Sequence, residues 1–153
     1  MRRALILCIA SCAFAFAATS EEKDPTATVQ RLFDAMAAHD ADAGRPLFAP
    51  GTTLTAVRAD GTVSTITSDQ FLTHVGAAKE PWLERMWEPK VMVHGSLAVV
   101  WADYDFHLNG KLSHCGVDSI TLVNTAGEWK IAGVAYTSET SGCAPSPLGP
   151  PKK

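Results

Sequence analysis

Beyond its N-terminal stretch, the sequence has no run of about eighteen apolar residues, the length a membrane-spanning helix needs. Basic charge is scarce as well, with 13 Lys and Arg against 16 Asp and Glu in 153 residues, a formal charge of −3. A chain without a basic excess has no broad surface for nucleic acid or anionic membrane. There is no Gly-x-Ser-x-Gly nucleophile elbow, no phosphate-binding glycine loop and no His-Glu-x-x-His pair. His94, His107 and His114 lie near aspartates but lack tight ligand spacing, so neither a metal nor a cofactor is expected. Asp40-Ala41-Asp42-Ala43-Gly44 is only superficially like a calcium loop, because its glycine comes one place early and no closing Glu follows; helix capping accounts for it better. With 46% hydrophobic and 19% charged residues, the chain has the apolar content of one folded domain rather than of a disordered segment.

Cysteine is also scarce, at four residues. Two of the four, Cys8 and Cys12, fall in a stretch that reads as an export leader: Arg2 and Arg3 are followed by apolar Ala4 to Phe16, and Ala15-Phe16-Ala17 places small residues at a cleavage site. Residues 1–18 are therefore expected to be a signal peptide, 19–25 a linker, 26–140 the folded domain and 141–153 a Pro- and Gly-rich tail. Ile9-Ala10-Ser11-Cys12 leaves a second reading open, a lipobox whose cysteine is lipidated. Losing Arg2 and Arg3 takes the 13 basic residues to 11 against 16 acidic ones, so an acidic periplasmic or secreted protein is expected. Cys115 and Cys143 then remain in an oxidising compartment, and a disulfide between them is predicted.

Periodicity divides the domain into helices followed by strands. Val29, Leu32, Phe33, Met36 and Ala37 recur at the spacing of one helical face from Thr26 onward, and His39-Asp40 closes that helix. Asp42 can cap a short second helix through Leu47-Phe48, ended by Pro50-Gly51. Thr52 to Val57 and Thr62 to Thr67 are β-branched runs joined through Asp60-Gly61, and Ser68-Asp69 caps a third helix from Gln70 to about Val75. Gly76 to Arg85, with Pro81 and Trp82, gives no clear period. Four strands follow: Trp87 to His94, Leu97 to Leu108, Lys111 to Val123 and Trp129 to Thr137. The predicted class is α+β, with N-terminal helices packed on a strongly curved antiparallel sheet.

Leu47-Phe48-Ala49 before a β-branched strand, Asp118-Ser119-Ile120-Thr121-Leu122-Val123, and Trp129-Lys130-Ile131 after a Gly-containing turn resemble the nuclear transport factor 2-like superfamily, including SnoaL-like and ketosteroid isomerase-like proteins, over residues 26 to 138. The resemblance implies a cone in which sheet and helices enclose a pocket, often with dimerisation through the sheet. It also implies that Asp118, four residues before Leu122, matches the place of an oxyanion-stabilising aspartate. The family's general base would fall at Ala56 and its oxyanion tyrosine at Leu32, so steroid isomerisation is not expected.

Asn109-Gly110 is a strong two-residue hairpin signal. An unbroken register from that turn would set Asp105 opposite His114, Asp103 opposite Gly116 and Trp101 opposite Asp118, with all of these on the pocket face. In that register Val100, Ala102, Tyr104, Phe106 and Cys115 would lie on the other face, available to a second subunit. A second hairpin with Val123 facing Trp129 would add Val134 and Tyr136 to the pocket and put Trp129 and Ile131 outside it. Asp103, His114 and Asp118 are thus candidate acid–base groups. Trp101, Asp103, His114, Asp118, Tyr136, Leu54 and Phe71 are candidate ligand contacts. Asp105 and His107 read as solvated residues near the hairpin tip. The expected function is binding of a small, partly apolar ligand; the alternative is a lyase, isomerase or hydrolase of the kind found in the superfamily's dehydratase and cyclase branches.

Overall fold

The computed structural model describes residues 24–151. The expected export leader, Cys12 and most of the expected linker lie outside these residues. The first helix, α1 (Pro25–Ala38), starts where Asp24 accepts a hydrogen bond from the Thr26 amide, with proline at the first helical position, and ends at His39 in a left-handed conformation. Its stripe of Val29, Leu32, Phe33 and Met36 is buried against the sheet, each side chain contributing roughly 1.5–3 kcal/mol. Helix α2 (Ala41–Gly44) is capped by Asp40 rather than Asp42, and a single 3₁₀ turn at Arg45–Leu47 leads to the sheet. Helix α3 (Ser68–Ala77) is capped by Thr67, one residue before the expected Ser68, because Gln70 returns a hydrogen bond to the Thr67 amide and completes a capping box.

Six strands form one sheet: β1 (Thr53–Arg58), β2 (Val63–Thr67), β3 (Trp82–His94), β4 (Leu97–Leu108), β5 (Lys111–Thr125) and β6 (Glu128–Ser138), in spatial order β2-β1-β6-β5-β4-β3. The sheet is mixed, because β1 pairs with β6 in parallel while every other neighbour is antiparallel. The helices cover one face. Val100, Tyr104, Ile120, Leu122, Ile131 and Val29 form the centre of the core between them.

Three irregularities bend the ladder and set which side chains face the helices. In β3 the register slips at Glu88-Pro89, where Glu88 has φ 47°. Between β4 and β5 the turn at Asn109-Gly110 has both residues at positive φ, and Leu108 faces Lys111 and His107 faces Leu112 as expected. Ser113 is then left over, so Phe106 pairs with His114, Tyr104 with Gly116 and Ala102 with Asp118. This single bulge overturns the continuous register predicted above. In β6, Ala132 plays the same part: Leu122 faces Ile131 and Asn124 faces Trp129, whereas Ile120 faces Val134 and Asp118 faces Tyr136. Trp129 and Ile131 therefore join the buried core instead of the outer face.

On the outer face, Arg85 forms a bidentate pair with Asp105, Nε to Oδ1 at 2.8 Å and Nη2 to Oδ2 at 2.5 Å, and its Nη1 donates to the Gly149 carbonyl at 2.9 Å. His107 Nε2 lies 3.3 Å from Asp105. Asp105 and His107 are buried, not solvated as the sequence suggested, because residues 143–151 lie across them. Burial alone would raise the Asp105 carboxyl, but the hydrogen bonds from Arg85 and His107 outweigh it and hold the group below the usual range. The tail is also joined to β5 by the Cys115–Cys143 disulfide, with Cα atoms 5.9 Å apart.

Gly116 is required by crowding, since a β-carbon there would collide with the carbonyl and hydroxyl oxygens of Thr137 on β6. Gly116→Ala should cost about 1–3 kcal/mol in urea unfolding. Gly133→Ala, where a β-carbon meets nothing within 4 Å, should stay within about 0.5 kcal/mol. The double variant Cys115→Ser, Cys143→Ser opens a loop with a sequence separation of 28; it should lose roughly 3–4 kcal/mol in the same assay, and an unchanged midpoint would show that the bridge does not stabilise the fold.

Candidate functional site

A cavity of about 480 Å³ lies between the helices and the sheet. Leu32, Phe33 and Met36 of α1 and Phe71 of α3 form its roof, Leu54, Ile66, Ile120 and Val134 its floor, and Trp82, Phe106 and Leu108 one wall. Most of the lining is hydrocarbon, as strand alternation and the α1 stripe require. Trp82 stands edge-on to Phe106 at 5.6 Å, and Phe48 to Phe71 at 6.3 Å, so the aromatic walls are held in place by one another.

Polar groups enter this lining from four strands. Glu84 on β3 lies opposite Phe106, and Asp118 on β5 lies opposite Ala102 on one side and Tyr136 on the other. The two carboxyls approach closely enough to share a proton. Asp118 is 4% exposed, and its Oδ2 has no hydrogen-bond partner among the described residues. Glu84 keeps some accessible surface, which faces the cavity. Tyr104 stands between Tyr136 and His114, with ring centres 6.3 and 5.8 Å away, and donates its hydroxyl to the Thr137 carbonyl at 2.7 Å. The Val117 amide donates to the Thr137 hydroxyl at 2.9 Å, so the close β5–β6 approach that Gly116 permits also fixes the phenol beside the acids.

Protonation follows from burial without a compensating cation. Desolvation first, then the neighbouring Asp118 charge, lifts Glu84 well above the ordinary carboxylate range. Desolvation pushes Asp118 up to about 7, against a partial opposing effect of its hydrogen bond with Glu84. Burial and then the two acids raise Tyr104 and Tyr136, and burial lowers His114. Near neutral pH the site therefore holds a proton-sharing acid pair, two neutral phenols and a neutral imidazole. Among the described residues no Lys or Arg forms an ion pair with Glu84 or Asp118; Lys79 and Glu80 line the cavity together with His74.

Of the residues singled out in the sequence, His114, Asp118, Tyr136, Leu54 and Phe71 meet in this cavity. Trp101 and Asp103 do not. The Ser113 bulge turns them to the outer face, where Trp101 is 49% exposed and Asp103 pairs across the ladder with Val117. The space beside Gly116 is filled by Thr137. His114 Nδ1 lies 3.2 Å from the Ser113 hydroxyl, so its nearest polar partner is not a carboxylate. Leu32 lines the cavity and Ala56 is buried in β1, so neither position carries an acid, base or phenol. The sequence reading missed Glu84 and Tyr104. The alternation Trp82-x-Glu84-x-Met86 was the available signal for Glu84, hidden by Pro81 just before it. No group of His, Cys, Asp or Glu arranged to hold a metal occurs among the described residues.

No protein-family model matches the sequence, and no curated protein matches it. Solved structures do match. A nuclear transport factor 2-like superfamily protein from Salmonella enterica is 19% identical, with a TM-score of 0.62, over 81% of this chain and 94% of its own. The chain has the nuclear transport factor 2-like fold. A Mycobacterium tuberculosis protein of unknown function is 16% identical with a TM-score of 0.64, covering 74% of this chain and 68% of its own. A candidate dehydratase of the same family from Streptomyces avermitilis is 16% identical with a TM-score of 0.61, over 78% and 96%.

The acid pair makes stability depend on pH. Asp118 keeps its proton up to about 7 in the native chain and loses it near the ordinary 3.8 when unfolded. The native state thus binds more protons in that window, and stability falls as pH rises from about 4 toward 7, with a limiting slope of roughly 1.4 kcal/mol per pH unit for one proton. Asp118→Asn should flatten this decline and be more stable than the parent above neutrality, as read from urea midpoints across the pH range. An unchanged slope would place the titration elsewhere.

Proposed function

We propose that this domain is an exported binding module that takes a small, largely apolar molecule into the cavity and seats its single polar end on Glu84 and Asp118. The supporting observation is a proton-sharing carboxyl pair set in a hydrocarbon cavity of about 480 Å³, within the size range of small-molecule sites. Leu54, Phe71 and Ile120 would contact the apolar body, while His114 and Tyr136 would flank the polar end. Export is supported by the leader and by the Cys115–Cys143 bridge, which suits an oxidising compartment. The exposed Met92, Leu97 and Trp101 on the outer face give a second copy of the chain an apolar surface to pair with.

A second reading is supported by one further observation. Asp118 titrates near neutrality beside Glu84, so the pair can both give and take a proton, which is the equipment of a lyase, isomerase or hydrolase. In that case acid–base work falls to Glu84 and Asp118, with Asp103 on the opposite face of the sheet and His114 turned to Ser113. The candidate dehydratase among the matching structures is compatible with this reading.

Leu54→Trp projects an indole into the cavity from its floor. It should weaken uptake of the neutral apolar dye Nile red by at least about tenfold, equivalent to roughly 1.4 kcal/mol, as measured by fluorescence titration, while the circular dichroism spectrum stays that of the parent. Equal dye affinity in parent and variant would refute the cavity as the binding site.

A further inference from the structure

We infer that the polar end of the ligand is a cationic nitrogen: the cavity is built for a small amphiphilic amine whose ammonium group lies against Asp118 and Glu84 and whose hydrocarbon body lies among Phe33, Phe71 and Ile120. This rests on the reading of the cavity as a ligand site and adds the charge of what enters it.

The cavity has acceptors to spare. Asp118 Oδ2 is buried and unpartnered, and Glu84 brings a second carboxyl to the same place. A buried acceptor without a donor is unfavourable, and the loss is recovered when a donor arrives. Of the nearby donors, the Tyr104 hydroxyl is given to the Thr137 carbonyl and His114 Nδ1 lies at the Ser113 hydroxyl, which leaves the Tyr136 hydroxyl and the second His114 nitrogen. A ligand with a carbonyl would compete for few donors, whereas an ammonium brings up to three N–H groups to oxygen atoms that lack them. Charge points the same way. Arg85, the residue next to Glu84, faces the other side of the sheet and is already held by Asp105 and Gly149. The acid pair therefore has no cation of its own, and a pair sharing one proton carries one negative charge that a monocation would balance. Tyr104, Tyr136 and Phe106 line the same cavity, and aromatic rings stabilise a desolvated ammonium.

The groups around the pair are few. Glu84 comes from β3, Tyr104 from β4, His114 and Asp118 from β5, and Tyr136 from β6, while α1, β1 and β2 contribute only apolar side chains such as Leu32, Leu54 and Ile66. His74, Lys79 and Glu80 come from α3 and the turn after it. Below about 7 both acids keep a proton, and an entering ammonium would favour ionised Asp118 and release that proton, leaving the pair with the one it shares. Amine affinity should accordingly rise with pH toward about 7, where Asp118 titrates, by up to about tenfold per pH unit for one displaced proton. A neutral ligand that accepts a hydrogen bond from the protonated acid would show the opposite sign.

Two probes of nearly equal shape separate these cases: 2-phenylethylamine and 2-phenylethanol, titrated calorimetrically into the mature protein from about pH 5.5 to about pH 8.5. Proton release is read from the dependence of binding enthalpy on the ionisation enthalpy of the buffer. The expected result is tighter binding of the amine than of the alcohol, amine affinity that climbs with pH, and release of up to one proton below neutrality. Asp118→Asn and Glu84→Gln should each weaken the amine by at least about tenfold and leave the alcohol within about twofold; either variant suffices if the other fails to fold. An alcohol that binds as tightly as the amine, or amine affinity that falls as pH rises, overturns the amine while leaving the cavity intact. If neither probe nor Nile red enters, both the amine and the cavity reading fall.

Discussion

Side chains on a strand alternate between two faces, so one unpaired residue reverses the facing of everything beyond it relative to the neighbouring strand. Ser113 is that residue here. It brings Tyr104 and Phe106 into line with Gly116 and His114, and it sends Trp101, Asp103, Asp105 and His107 to the opposite side. The cavity owes its phenol and its aromatic wall to this offset, and the outer face owes it the Arg85–Asp105–His107 cluster beneath the tail. Ala132 makes a comparable adjustment in β6, allowing Trp129 and Ile131 to complete the core while Val134 and Tyr136 remain at the cavity.

The same architecture accounts for the electrostatics. Glu84 and Asp118 sit on strands either side of β4, and the helices above exclude most water from them. Burying acids without a cation disfavours the folded chain at neutral pH. A protein that optimised stability alone would place leucine or methionine there, and cost of this kind is concentrated at sites that bind or react. By contrast, the acid on the outer face is fully matched by arginine, and its carboxyl is held low. Two acids on one sheet thus have opposite protonation, decided by whether a guanidinium lies within reach.

Much of the fold was legible because its signals are local. The α1 stripe, the Asn109-Gly110 turn and the order of elements each depend on spacing over a few residues, and the pairing of Cys115 with Cys143 follows from their isolation. The candidate site was legible only in part. Asp118, His114 and Tyr136 were found because β5 keeps its alternation from Ser113 onward and two errors in β6 cancel at Tyr136. Asp103 was misplaced because a bulge carries no clear sequence mark: Ser113 has neither glycine nor proline beside it. Glu84 was lost because Pro81 made the start of a thirteen-residue strand look like part of a loop. The parallel β1–β6 pairing was invisible for a different reason, since it joins segments eighty residues apart with nothing local to announce it.

Neighbouring residues of opposite charge on β3, Glu84 and Arg85, are kept apart by no more than the thickness of the backbone that carries them. The sheet works as an insulating partition, with an acid compartment on one side and a neutralised pair on the other. A deletion or insertion of one residue between α3 and β3 that slid this strand by a single place would bring the guanidinium through the partition. The chamber would then change polarity from anion-lined to cation-lined without any substitution at its walls, so the length of a short connecting segment governs the sign of the charge that lines it.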